Sequence, residues 1–311
     1  RNGQLLLNKG YSMADWSQDL PNDPNTRFFL GSVTKEFTAT AILILQEQGK
    51  LHVQDSLCVY INPCPVPWQP VTIHEVLTHT SGIPQDDDVP VDSAPSPSAW
   101  IYAFNNYPLA YAPGSEFDYC SVCYQILAYV VQRASGQTYA QFLQQSIFDP
   151  LHMQATSFSS PAYYANADHA TGYASWQAPA ETLGWDDVGT SSLWSFLFGS
   201  GVLTTTTGDL YLWDQGLDAH KILTQHSLDL AYTAFSSASL FAGSGYGYGW
   251  FIGKSPVPGH RLIWHDGVID GFHTYIGRYI DDNVTIIFLS NLSSTDTLSI
   301  AHSIQQLVFK T

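Results

Sequence analysis

The sequence predicts an antiparallel sheet flanked by helices, an α/β unit built from both ends of the chain, with an all-α unit inserted between them. Three observations carry this. Short β-branched or aromatic runs at 246–252, 261–265, 272–279 and 284–290, split by Gly, Pro and Asp-Asp, read as consecutive antiparallel strands. The middle of the chain carries helical spacing instead. A further strand-like run, Gly3 to Ser12, lies ahead of it, so strand-like ends surround a helical middle. The expected units are residues 1–50 with 241–311 for the sheet domain, and 51–240 for the inserted helical domain.

Each element has its own signal. Residues 3–12 read as a strand or hairpin arm, and residues 15–27, polar with two prolines, as a loop. From Ser32, Val33, Phe37, Ala41, Ile44 and Leu45 form one stripe at helical spacing. Ala39 and Ile42 add apolar surface on other faces, which predicts a largely buried helix closed by Gly49. Residues 72–79 suit a short helix that Ser81-Gly-Ile-Pro84 ends, and the Asp-, Pro- and Ser-rich stretch 85–98 reads as a surface loop. A clear helix covers 121–135, with Val122, Ile126, Val130 and Ala134 in one row and Gly136 at its end. Another starts near Tyr139. Residues 155–200 are irregular, and four tryptophans fall between 176 and 213; the segment 176–213 and the Asp-rich loop at 85–92 are expected to wall a pocket. Helical patterns return at 207–217 and 225–235, and residues 297–309 make a closing amphipathic helix.

With 311 residues, 45% of them apolar, the chain has ample material for a core. No apolar run approaches the roughly 18 residues of a membrane span. Six lysines and five arginines against 27 acidic residues give a net charge of −16, which disfavours nucleic acid as a partner. The four cysteines are Cys58, Cys64, Cys120 and Cys123. Cys58 and Cys64 bound a short Pro-containing loop that suits a disulfide, with a pair of buried thiols as the alternative. Cys120-x-x-Cys123 has no βαβ unit around it, so packing or a local bridge is favoured over redox or metal chemistry. Sequence alone does not choose among the three pairings. A disulfide would place the protein in an oxidising compartment. No signal-peptide pattern is read at Arg1.

Three short motifs carry chemistry. In Ser32-Val-Thr-Lys35 the three-residue step puts both side chains on one helical face, and the helix N-terminus favours negative charge developing on a serine oxygen. A desolvated lysine there can be neutral and accept the serine proton. Only this lysine of the six has a serine three residues earlier. Tyr119 and Ser121 follow a Pro113-Gly114 loop and open a helix. His265-Asp-Gly267 ends a strand whose alternation puts His265 and Gly267 on one face and Asp266 on the other. Other motifs fail. In His74-Glu75-Val-Leu-Thr-His79 the histidines are five apart and do not share a helical face, against a zinc protease. No serine sits in G-x-S-x-G. Gly243 to Gly249 reads as a strand with alternating small residues, not a phosphate loop.

The order of Phe29-Leu-Gly-Ser32-Val-Thr-Lys35, Val76-Leu-Thr-His-Thr-Ser-Gly-Ile-Pro84, Pro113-Gly-Ser-Glu-Phe-Asp-Tyr119, Gly201-Val-Leu-Thr-Thr-Thr-Thr-Gly-Asp209 and His265-Asp-Gly267 strongly resembles the serine β-lactamase and penicillin-binding-protein superfamily. The branch it is most similar to holds class C β-lactamases, D-alanyl-D-alanine carboxypeptidases, D-aminopeptidases and related esterases. The resemblance covers nearly the whole chain and implies a β-lactamase/transpeptidase-like fold and an extracytoplasmic location. It implies Ser32 as acylated nucleophile, Lys35 as its proton acceptor, and Tyr119 as a second base with a phenol acidified by nearby positive charge. It further implies His265 in the place of the K-T-G lysine, Gly267 opening the strand edge, and the N–H groups of Ser32 and Val268 as oxyanion hole. No metal or cofactor is implied. Two departures stand out: the usual Tyr-x-Asn reads Tyr119-Cys-Ser121, and the third box carries histidine. A histidine of ordinary pKa is partly charged near neutrality and grips a substrate carboxylate less firmly than lysine. The helix and edge strand that normally precede the Gly3–Tyr11 strand are not in this sequence. The expected function is a serine hydrolase acting through an acyl-enzyme on small amides or esters, of esterase or D-amino-acid peptidase or carboxypeptidase type, with weak β-lactamase activity. The alternative is a penicillin-binding sensor or scaffold that is acylated with little turnover.

Overall fold

The computed structural model describes residues 1–85, 96–158, 168–175, 178–179, 199–238 and 244–309. The chain begins with β1 (Met13–Asp15), β2 (Leu20–Pro21) and β3 (Phe28–Phe29), then enters α1 (Thr34–Glu47) through a 3₁₀ turn at Gly31–Val33. The helices α2 (Ile73–Leu77), α3 (Pro97–Ala103), α4 (Ser121–Ser135), α5 (Tyr139–Leu143) and α6 (Asp149–Leu151) follow. After these come β4 (Ser157–Phe158), β5 (Tyr173–Ser175), β6 (Ala178–Pro179), β7 (Leu203–Thr205), α7 (Thr207–Asp218) and α8 (Gln225–Ala231). The C-terminal part contains β8 (Ser236–Ala238), β9 (Ser244–Tyr246), β10 (Phe251–Lys254), β11 (Arg261–Ile269), β12 (Phe272–Tyr279), β13 (Val284–Ser290) and α9 (Thr297–Phe309).

The strands β8 to β13 form one antiparallel sheet in the order β13-β12-β11-β10-β9-β8. His265 pairs with Ile276, which in turn pairs with Ile287, so these three side chains share a face. Ile263 and Ile276 on that face join the core that holds α1 and α4, while Leu262, Trp264, Tyr275, Val284 and Ile286 on the other face pack with Ala301 of α9. The sheet therefore separates two apolar layers, and the larger one runs without a break from the sheet into the helical half.

The helix read from Ser32 is buried on every side from Thr34 to Leu45. It packs against α4, α5 and α8, and the 3₁₀ turn ahead of it lies against β11 and β12. The helix α4 spans the residues its periodicity indicates and ends on Gly136 at φ 75°, a left-handed C-terminal position that glycine reaches without steric cost. A reciprocal capping box between Thr72 and Glu75 opens α2. Cys58 is bonded to Cys64, and Cys120 to Cys123, each pair with Cα atoms 5.3 Å apart.

Two strand readings are corrected. Residues 4–11 form no strand, and Leu5, Leu6 and Leu7 are exposed. An apolar run becomes a strand only where a neighbour supplies ladder hydrogen bonds and a face to bury, and every strand of the large sheet comes from residues 236–290. The N-terminal residues contribute instead through β3, which pairs with β7. The run at 246–252 is two strands, β9 and β10, because Gly247 N–H donates to the Trp250 carbonyl at 2.8 Å and turns the chain between them. The parts of the two expected pocket walls at 86–92, 176–177 and 180–198 lie outside the described residues.

Candidate active site

Ser32 sits in the 3₁₀ turn, half-buried, one turn ahead of Lys35. The turn is held against the sheet by close backbone approach. Gly31 has φ 54°, and a Cβ there would lie 2.7 Å from the Val268 nitrogen. Across the gap, a Cβ on Gly267 would lie 1.9 Å from the Leu30 carbonyl oxygen and 2.3 Å from Thr274 Oγ1. The Thr274 hydroxyl donates to that same carbonyl at 2.6 Å. Two glycines thus let β11 run directly alongside the residue before Ser32.

Lys35 is fully buried and its Nζ donates to Ser32 Oγ at 3.0 Å and to the Ser200 carbonyl at 2.9 Å. Burial disfavours the ammonium and brings its pKa down to about 7, against the pull of the Asp266 carboxylate. Tyr119 covers this pair, with Lys35 Nζ 4.9 Å from its ring centre. Its ring stacks on Phe251 and lies 6.1 Å from that of His265. The structure therefore brings Ser32, Lys35, Tyr119 and His265 together from three separate stretches. Ser121 opens α4 two residues beyond Tyr119, while Gly267 and Val268 of β11 lie against Leu30 and Gly31, the residues just before Ser32.

Two electrostatic expectations are corrected. The Tyr119 phenol is not acidified: burial pushes its pKa well above the ordinary value, and the nearby Ser32 hydroxyl only partly offsets this. No well-formed hydrogen bond reaches its oxygen, so Tyr119 is a neutral hydroxyl poised over the Ser32–Lys35 pair. His265 is not partly charged at neutral pH. Burial, reinforced by Lys35, lowers its pKa to about 3. Its Nε2 is 3.1 Å from the Tyr246 hydroxyl and its Nδ1 2.6 Å from the Asp266 carbonyl. Nδ1 therefore donates and Nε2 accepts, and both nitrogens are engaged inside the protein. The side chain is 1% exposed and offers the cleft no cation.

Sequence reasoning missed several residues that shape the site. Gln85 Nε2 donates to the Tyr119 carbonyl at 2.8 Å, and Ser200, Thr274 and Tyr246 hold Lys35, Leu30 and His265 as described. Their contacts span long sequence separations and leave no local signal. His79, set aside above with a zinc motif, lies against Tyr119 with ring centres 4.4 Å apart. Among the described residues no group of His, Cys, Asp and Glu is arranged to hold a metal ion, and no helix is long and apolar enough to cross a membrane.

A half-buried serine bonded to a fully buried lysine at the entrance of a central helix, covered by a tyrosine and edged by a sheet strand, is a serine-hydrolase-type arrangement in a chain of the β-lactamase and penicillin-binding-protein superfamily. A family model described as Beta-lactamase matches residues 1–308, and the chain belongs to that family. It is 30% identical over 298 residues to the PbpX protein of Bacillus subtilis (strain 168), covering 96% of this chain and 70% of that one. It is 29% identical over 306 residues to Protein flp of Staphylococcus aureus (strain NCTC 8325 / PS 47), of which it spans 58%. The solved structure of the octameric penicillin-binding protein homologue from Pyrococcus abyssi superposes with a TM-score of 0.84 at 26% identity, covering 99% of this chain and 71% of that one.

Proposed function

We propose that this chain hydrolyses small esters or amides through an acyl-enzyme on Ser32, and that it favours substrates presenting no carboxylate to β11. The observation that carries the proposal is the 3.0 Å contact between Lys35 Nζ and Ser32 Oγ with the lysine fully buried. With a pKa of about 7, a substantial fraction of Lys35 is neutral near pH 7 and is a competent base. Ser32 Oγ attacks the substrate carbonyl carbon as its proton passes to Lys35 Nζ. The oxyanion is received by the N–H groups of Ser32 and Val268, each donor worth about 3–4 kcal/mol. The bond to the leaving alkoxide or amine then breaks, and the leaving group takes a proton from the Lys35 ammonium, directly or by way of the Tyr119 hydroxyl. Water repeats the sequence on the acyl carbon: its proton goes to Lys35, the ester bond to Ser32 breaks, and Ser32 regains its hydroxyl.

The preference for uncharged acyl donors is supported by His265, neutral and turned inward where a cation would hold a carboxylate. The two disulfides support an extracytoplasmic location. The test is turnover of p-nitrophenyl acetate, and acylation by a fluorescent penicillin followed by intact-mass spectrometry, for the parent and for Ser32→Ala. Loss of at least about a thousandfold in ester turnover is expected from the substitution. Turnover that survives it moves the chemistry to another residue. A penicillin adduct that persists on Ser32 in a protein with no ester turnover favours the sensor reading.

A further inference from the structure

We infer that His79 is a positioning residue for Tyr119, an inference that rests on the catalytic reading of Tyr119 given above. The backbone N–H groups of the two residues on either side of Tyr119 both end on this one histidine. Asp118 N–H donates to the His79 carbonyl, and Cys120 N–H donates to its ring nitrogen Nδ1, each at 2.9 Å. The imidazole also lies against the Tyr119 ring, with centres 4.4 Å apart and planes tilted by 34°. Tyr119 is therefore held from both backbone sides and from one ring face, while Gln85 holds its carbonyl.

The histidine occupies this place at the cost of a buried, unpaired N–H, which its Nδ1 acceptor offsets. Its backbone is left-handed, with φ 57°, a conformation that side-chain-bearing residues other than Asn, Asp and His seldom adopt. It is fully buried. Because Nδ1 accepts, the ring proton is on Nε2, and that buried nitrogen has no hydrogen-bond partner. An apolar side chain would avoid the unpaired N–H, but it would leave the Cys120 N–H without an acceptor. Burial, with Lys35 and His265 nearby, keeps the imidazole neutral, so it remains an acceptor at every working pH. The consequence is reach: the Tyr119 ring is held 4.9 Å from Lys35 Nζ, and a displacement of about 1 Å at a reacting group costs on the order of a hundredfold in rate.

The experiment uses the full chain and p-nitrophenyl acetate, with His79→Phe, His79→Asn, Tyr119→Phe and the double variant His79→Phe/Tyr119→Phe. Phenylalanine keeps the ring and removes the acceptor. Asparagine keeps an acceptor near Nδ1 and tolerates the left-handed backbone. The expected result is a kcat lowered about thirtyfold or more in His79→Phe with KM within about twofold, and a kcat within about threefold of the parent in His79→Asn. In the Tyr119→Phe background, His79→Phe should change kcat by less than about twofold, because a residue that acts only through another has nothing left to act on. If His79→Phe does not fold, His79→Gln, whose amide reaches the Nε2 position instead of Nδ1, takes its place and is read in the same way. Equal losses in His79→Asn and His79→Phe, or effects of His79→Phe and Tyr119→Phe that multiply, overturn the inference. Full activity in Tyr119→Phe overturns the catalytic reading of Tyr119 instead.

Discussion

In the proposed mechanism Lys35 is the base for Ser32 and must be neutral, so kcat/KM for an uncharged ester should rise with pH through about 7 and level off above it. An inflection near 10 would mean that the side chain is solvated in the working enzyme. Replacing it as Lys35→Ala should lower ester turnover by about a thousandfold, in line with other nucleophile–base units; a tenfold loss would contradict its assigned role. His265 predicts no step where an ordinary histidine would titrate. With its pKa at about 3, the KM of a succinyl ester relative to that of an uncharged ester should show no histidine step near 6.5, leaving only the Lys35 transition near 7. The residue types at both positions were legible in the sequence. Their protonation was not, because burial decides it, and burial comes from Tyr119, Tyr246 and the sheet, all distant in sequence.

The decisive contact between elements is that of β11 with the turn before α1. Gly267→Ala would place a methyl group 1.9 Å from the Leu30 carbonyl oxygen, which belongs to rigid backbone and cannot move aside. We expect β11 to shift away from Ser32, the Thr274–Leu30 hydrogen bond to break, and stability to fall by about 1–3 kcal/mol. Ester turnover should drop about a hundredfold or more, since the Val268 N–H, the proposed oxyanion donor, would leave its position against Gly31. Parent-like kinetics together with a parent-like Tm would show that the strand edge does not serve the site. At this scale the helices were the best-read elements. α1, α4, α7 and α9 each bury a face at helical spacing, and Gly136 and the Thr72–Glu75 box mark ends with local chemistry. Strands fared unevenly. β12 and β13 were read to the residue, whereas the Gly3–Ser12 run is apolar without being a strand, since pairing depends on what lies beside it.

For the molecule as a whole, keeping an uncharged lysine in the core lowers stability in return for reactivity. The folded state holds the Lys35 proton only below about 7, while the unfolded chain holds it up to the ordinary value of 10.5. The unfolded state therefore binds the extra proton between those values, and the contribution of Lys35 to stability rises with pH across that window. The penalty at pH 7 is on the order of 3–5 kcal/mol. Lys35→Met should accordingly be inactive yet melt roughly 5 °C higher than the parent at pH 7, with the gain shrinking toward pH 10. Thermal melts of both proteins across pH 6.5–10 decide this; a constant or negative difference would mean that Lys35 does not bear the burial penalty.

The sequence by itself determined the class of fold and the helix that carries Ser32 and Lys35, and its resemblance to the superfamily pointed to Tyr119 and His265. Fold class and helix are properties of local spacing: a three-residue step on a helix, an alternation along a strand. Only the tertiary structure decided that the Gly3–Ser12 run stays out of the sheet, that Tyr119 and His265 are uncharged, and that His79 accepts from the residues on both sides of Tyr119. Those outcomes depend on desolvation and on close approach of backbone from remote parts of the chain. No window of neighbouring residues contains either quantity.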